Sequence, residues 1–228
     1  MPSRKAAPAA LAAALLLAGT ACADGGMVAQ SSCSVLDTEG GHLVTCYAEV
    51  VNVSGDVICL EEGTYDRLSG DEVLAAGQVQ PIMPYFLAPG ERGYLCDAAL
   101  VENETMPPIT ALRYDVEYLT IDGRYAPTAL LCTPERMERE DGGLTVELLL
   151  RNETDETAWS PAVSYGLYSG SGALLYADGR TLDGTGIPPG GSLRVRFTVL
   201  GALLERWDGF GAPPEEIHAS ACFGGDED

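Results

Sequence analysis

The chain repeats itself at a spacing of 100 residues. Asn52 recurs as Asn152, Tyr65 as Tyr165, Ser69-Gly70 as Ser169-Gly170, Leu74 as Leu174, Pro89-Gly90 as Pro189-Gly190 and Leu100 as Leu200. So constant a spacing marks a duplicated unit. It restricts the 228 residues to two copies of one small fold. "CYAEVVN" before Asn52 parallels "VELLLRN" before Asn152, and near the starts Cys33 parallels Cys132. "MPPI" at 106–109 has a displaced echo in "APPEEI" at 212–217, so the second copy carries an insertion of about six residues.

Each copy reads as β. In "LTVELLLRN", Leu144, Val146, Leu148 and Leu150 alternate with Thr145, Glu147 and Arg151, the period of a half-buried strand. "SLRVRFTVL" repeats the pattern, with Leu193, Val195, Phe197 and Val199 inward and Arg194 and Arg196 outward. Turn clusters such as "NETDET", "SGSG", "ADG" and "GTGIPPGG" separate the strands. Short alternating strands with this punctuation predict an all-β sandwich. One helix is expected, "GALLERWDGF" after Val199, inside the inserted stretch. The predicted fold is all-β: two tandem immunoglobulin-like β-sandwich domains, 33–125 and 126–228, after a signal peptide (1–21) and a tether (22–32). The connection falls between Leu119 and Leu130, and the part from Pro127 onward is expected to fold alone.

"VSYGLYSGSGALL", preceded by a strand ending in Asn and followed by Pro-Gly and an alternating strand, resembles the FxLYD domain of bacterial envelope proteins. That domain is a small β-sandwich named for a Phe-x-Leu-Tyr-Asp strand followed by a Gly turn. Here Tyr165 stands for the Phe, Leu167 and Tyr168 match, and Ser169 replaces the Asp. The shared order spans nearly the whole second copy; the first keeps only Tyr65, Leu68 and Ser69-Gly70 of that stretch. Tyr165 and Leu167 share one strand face, with Tyr168 on the other. Ser169-Gly170 is expected to start a hairpin with Gly at φ > 0, and Pro189-Gly190 to set a far turn. Asn52 and Asn152 close a strand through local side-chain bonds. In a chain with a bacterial-type leader, the N-x-S/T spellings at Asn52, Asn103 and Asn152 read as turns, not glycosylation sites.

Arg4 and Lys5 precede an uncharged Ala/Leu-rich run to Gly19 and small residues after it, the layout of a secretory signal. "LAGTAC" resembles the lipobox of bacterial lipoproteins, which implies a diacylated Cys22; ordinary cleavage after Ala23 is the alternative and implies a secreted protein. Either route leaves six of the seven cysteines, enough for three disulfides in an exported chain. Cys132 and Cys222 are the only two cysteines of the second copy, near its first and last strands, and are expected to pair. In the first copy the spacing of Cys46 before Asn52 and Cys96 after Gly90 suggests Cys46–Cys96, leaving Cys33–Cys59.

Loss of Arg4 and Lys5 takes the formal net charge from −21 to −23 and leaves no lysine. Nucleic acid and anionic headgroups need basic surface, so neither is an expected partner. Membrane attachment would come through lipid on Cys22 only. No D-x-[DN]-x-[DN]-G loop or C-x-x-C pair is present, and no metal or cofactor is expected. Nor is there a G-x-S-x-G elbow, and the chain is expected not to be an enzyme. The expected function is a non-catalytic, extracytoplasmic lipoprotein presenting loops or strand edges to a protein or envelope component. The alternatives are a small-ligand or glycan binder using Tyr85, Phe86, Trp207 or Phe210 as aromatic anchors, and a hydrolase with an unrecognised site.

Overall fold

The computed structural model describes residues 20–21, 26–102, 106–123, 126–140 and 142–224. It is all-β apart from one short helix. The first copy comprises β1 (Thr20–Ala21), β2 (Gly26–Thr38), β3 (Gly41–Asn52), β4 (Val57–Ser69), β5 (Glu72–Ile82), β6 (Phe86–Leu87), β7 (Arg92–Val101) and β8 (Ala111–Ile121). The second comprises β9 (Thr128–Glu140), β10 (Gly143–Arg151), β11 (Ala158–Trp159), β12 (Ala162–Ser169), β13 (Leu174–Thr181), β14 (Gly186–Ile187), β15 (Ser192–Leu200), α1 (Gly201–Gly209) and β16 (Pro214–Phe223). The helix occupies the inserted stretch. Among the described residues no helix is long and apolar enough to cross a membrane. β2 takes in residues 26–32, which the sequence reading assigns to the tether.

In the first copy the strand order is β1-β2-β3-β7-β5-β4-β6, with β8 also paired to β4. In the second it is β13-β12-β16-β9-β10-β15, with β11 and β14 as a separate pair. The alternation in β10 and β15 sends Leu144, Val146, Leu148, Leu150, Val195, Phe197 and Val199 into the second core, beside Tyr165 and Leu167 of β12. The equivalent faces of the first copy bury Val44, Cys46, Ala48, Val50, Tyr65 and Leu95.

Asn52 and Asn152 carry the same hydrogen-bond set in both copies. The Asn52 amide donates to the carbonyls of Asp56 (2.8 Å) and Leu87 (2.9 Å), and Asn152 to those of Glu156 (2.6 Å) and Ile187 (2.8 Å). Their Oδ1 atoms accept the N–H and hydroxyl of Ser54 or Thr154. Their carbonyls accept the N–H of Gly90 or Gly190 from the Pro-Gly turn. Each Asn thus ties a strand end, the following loop, a short strand and a distant turn. Both are buried, which removes them as glycan acceptors; Asn103 lies outside the described residues.

The hairpin after Ser169 differs from expectation. The residue at positive φ is Gly172 (+79°), not Gly170, whereas the shorter first-copy turn uses Gly70 (+60°). β12 and β13 are joined by four residues and β4 and β5 by two, so the left-handed position moves along the loop.

The expected cysteine pairings are also corrected. Cys96 stands opposite Tyr47, and Cys46 opposite Asp97, so Cys46 and Cys96 project from opposite faces. Cys59 stands opposite Phe86 and Leu119, away from Cys33. Cys222 stands opposite Ala129 and Cys132 opposite Leu150, so an odd residue offset along β9 separates them and turns them to different faces. The partner register further shows that Met137, opposite Val146, takes the place of Cys33, opposite Cys46; the Cys33–Cys132 parallel is one of sequence only.

The candidate site at the junction of the copies

Several strands are buried on both faces, and their outer faces build a third core between the copies. On β3 the even positions face the first core, while Tyr47 and Glu49 face outward. On β7, Tyr94 and Cys96 do the same. They meet Tyr168 of β12 and Leu174, Tyr176 and Ala177 of β13. The rings of Tyr47 and Tyr176 lie 5.3 Å apart. Tyr94 presses so closely on β12 that a Cβ at Gly166 would lie 2.7 Å from its hydroxyl. A piece beginning at Pro127 would leave Tyr168 and Leu174 without this cover.

A polar chain runs through this apolar contact. Glu49, 1% exposed, accepts a hydrogen bond from Arg92 (2.9 Å) and another from the Tyr168 hydroxyl. With the Tyr168 proton committed to Glu49, Tyr94 is the donor in the 3.0 Å contact between the two phenols. Burial raises the pKa of both phenols, Tyr94 to about 12. It also raises the Cys96 thiol to about 12, with Asp97 adding to the effect. All three hold their protons at neutral pH, and the two phenols act as hydrogen-bond partners, not acids.

The junction opens into a cleft of about 410 Å³. It is lined by the segment from Met83 into β6, where the Tyr85 and Phe86 rings pack at 4.8 Å, and by β11 and the bend after it. Trp159 is 64% exposed. Its ring rests on Gly186 of β14, where a Cβ would sit 2.7 Å from the indole. The next residue, Ser160, is the one non-glycine at positive φ among the described residues (+45°). Its N–H donates to the Thr185 carbonyl (2.8 Å), and its hydroxyl accepts the Gly184 N–H (3.1 Å). Thr181 and Asp183 line the cleft beside it, and Cys222 and Phe223 complete it. Asp183 is the one charged side chain among these lining residues. The surface offers flat apolar faces and a few hydrogen-bonding groups.

Of the four expected anchors, Tyr85 and Phe86 reach this cleft and two do not. Trp207 is buried in the second core, its ring 6.3 Å from that of Tyr176. Phe210 is half-exposed at the end of α1, with the Arg206 guanidinium 5.6 Å over its ring. Trp159 was missed, although its setting in "ETAWSPA", a Trp beside Ser-Pro in a turn-rich stretch, separates it from any alternating strand. The two histidines pair with adjacent carboxylates, His42 with Asp37 and His218 with Glu216. Among the described residues no three His, Cys, Asp or Glu side chains gather as a metal site. Cys22 lies outside the described residues. Comparison with protein-family models and with curated proteins returns no match for the chain.

Proposed function

We propose that this chain is a non-catalytic binding protein of the bacterial cell envelope, lipid-anchored on Cys22, which holds a protein or envelope partner in the cleft between two FxLYD-like, immunoglobulin-like β-sandwich domains. The single observation that carries this reading is Trp159, a large aromatic left 64% exposed in the cleft that Tyr85 and Phe86 also line. Exposed, rigidly backed aromatics are the side chains that dominate binding hot spots. A cleft of this size falls in the range of ligand sites.

Crosslinking on intact cells tests the reading. The wild-type chain is expected to capture a defined partner, and Trp159→Ala to lose that capture at least tenfold. Because the indole is mostly solvent-exposed, Tm should move by less than about 2 °C. Undiminished capture by Trp159→Ala would remove the cleft from the function.

A glycan-binding reading is favoured by Ser160, Thr181 and Asp183 beside the aromatic faces, since sugars present both apolar C–H faces and hydroxyls. The strongly negative chain restricts such a ligand to a neutral or basic one. Calorimetric titration with neutral envelope oligosaccharides separates it from the protein-partner reading.

The anchor has its own test. The mature protein is expected to incorporate palmitate and partition into detergent, and Cys22→Ala to abolish the labelling. Recovery of a soluble chain beginning at Asp24 would contradict the anchor and leave the cleft untouched.

A further inference from the structure

We propose that Cys33 and Cys46 are a redox site, oxidised after export to a cross-strand disulfide that staples β2 onto β3. The two residues are direct partners in the antiparallel ladder. Such partners have Cα atoms about 4.5–5.5 Å apart, within the span a disulfide bridges. Their sulfurs already touch at 3.6 Å. Cys46 is sealed in the first core, while Cys33 is partly exposed at its margin. The two cysteines nearest in the sheet cannot compete, because Cys96 leaves the opposite face of β7 and Cys59 lies on β4 opposite Phe86.

β2 lies near the edge of its sheet: its backbone ladder runs to β3 and to the two residues of β1, and Gln30 adds side-chain bonds to the Gly172 carbonyl and the Leu174 N–H. Around Cys33 it buries Ser31, Ser32 and Ser34, whose hydroxyls find no partner among the described residues. Buried hydroxyls without partners weaken a strand's hold on its core. In the second copy Met137 and Val146 occupy the places of Cys33 and Cys46, so an apolar contact there stands where the first copy has two thiols.

The oxidant is a low-molecular-weight or protein disulfide, RSSR. The partly exposed Cys33 loses its proton and attacks one sulfur, releasing RS⁻ and leaving a mixed disulfide. Cys46 loses its proton and displaces the second RS⁻ from Cys33. The two protons neutralise the two thiolates, and two electrons pass from the cysteines to the oxidant: 2 Cys–SH + RSSR gives the Cys33–Cys46 bridge + 2 RSH.

The test uses the mature chain, reduced and then equilibrated with oxidised glutathione. Free thiols are alkylated before proteolysis without reduction. A peptide joining Cys33 to Cys46 is the expected product. Reduction of that bridge should lower Tm by about 5–10 °C, from the loop-closure and size scalings. The double variant Cys33→Ser, Cys46→Ser should show one Tm with or without reductant. Recovery of both cysteines alkylated after oxidation, or of either one bridged elsewhere, would overturn the proposal. Mapping on the wild-type chain decides it even if the double variant fails to fold.

Discussion

Asn152→Asp should cost the chain about 4–5 kcal/mol, close to the whole stability of a small domain. The side chain is 0% exposed, and its amide is the sole donor of two hydrogen bonds to the Glu156 and Ile187 carbonyls. An aspartate is isosteric but brings no donor. It would set a carboxylate against two carbonyl oxygens in a site closed to bulk solvent, and of the side-chain bonds only those from Thr154 would survive. Asn152→Ala removes the same donors without adding charge and should cost about 3 kcal/mol. Asn52→Asp and Asn52→Ala should give losses of the same order, because the first copy repeats the geometry bond for bond. Urea denaturation checks this. A fall in midpoint with an unchanged slope is expected, and a loss under about 1 kcal/mol for Asn152→Asp would mean that the buried knot is not formed.

Tyr168→Ala should be as damaging, by a different route. Removing a buried ring leaves a cavity worth about 3–5 kcal/mol. It also strips Glu49 of one of its two partners and Tyr94 of the nearer of its two acceptors, leaving only the His218 carbonyl at 3.5 Å. The damage falls on the contact between the copies, since Tyr168 points away from the second core. Tyr168→Phe keeps the ring and isolates the polar part; it should cost about 2–3 kcal/mol, the penalty for orphaning a buried carboxylate's hydrogen bond. In a cycle with Glu49→Gln, the two losses should be strongly non-additive. Additive losses in equilibrium unfolding would show that the two side chains do not share a bond.

The duplication, the β class, the strand faces and the helix in the insertion were all legible, because period-two patterning and turn chemistry are local signals. The junction was not. Its strands, "CYAEVV", "GYLCDA" and "VSYGLYS", read as nearly continuous apolar runs, and such a run looks alike whether its second face meets a partner sheet or a ligand. Glu49 within the first run is the clue that reasoning on one face passes over: a buried carboxylate requires partners, and Arg92 and Tyr168 sit 43 and 119 positions away. The Asn knots were half legible. Their bonds to Ser54 and Thr154 are local, but those to Leu87 and Ile187 cross 35 residues. The cysteine pairings failed because facing depends on register, and one residue of slip along a ladder turns a side chain to the other face. At the cleft, Tyr85 and Phe86 were legible as candidate aromatic anchors. Trp159 reaches them only through the junction, which no local pattern encodes.

If the buried junction fuses the two copies into one unit, and so builds a cleft that neither copy has alone, the intact mature chain should melt as one body. Differential scanning calorimetry should then give one transition, with calorimetric and van't Hoff enthalpies equal. Two resolved transitions, each matching that of a half produced by itself, would contradict it.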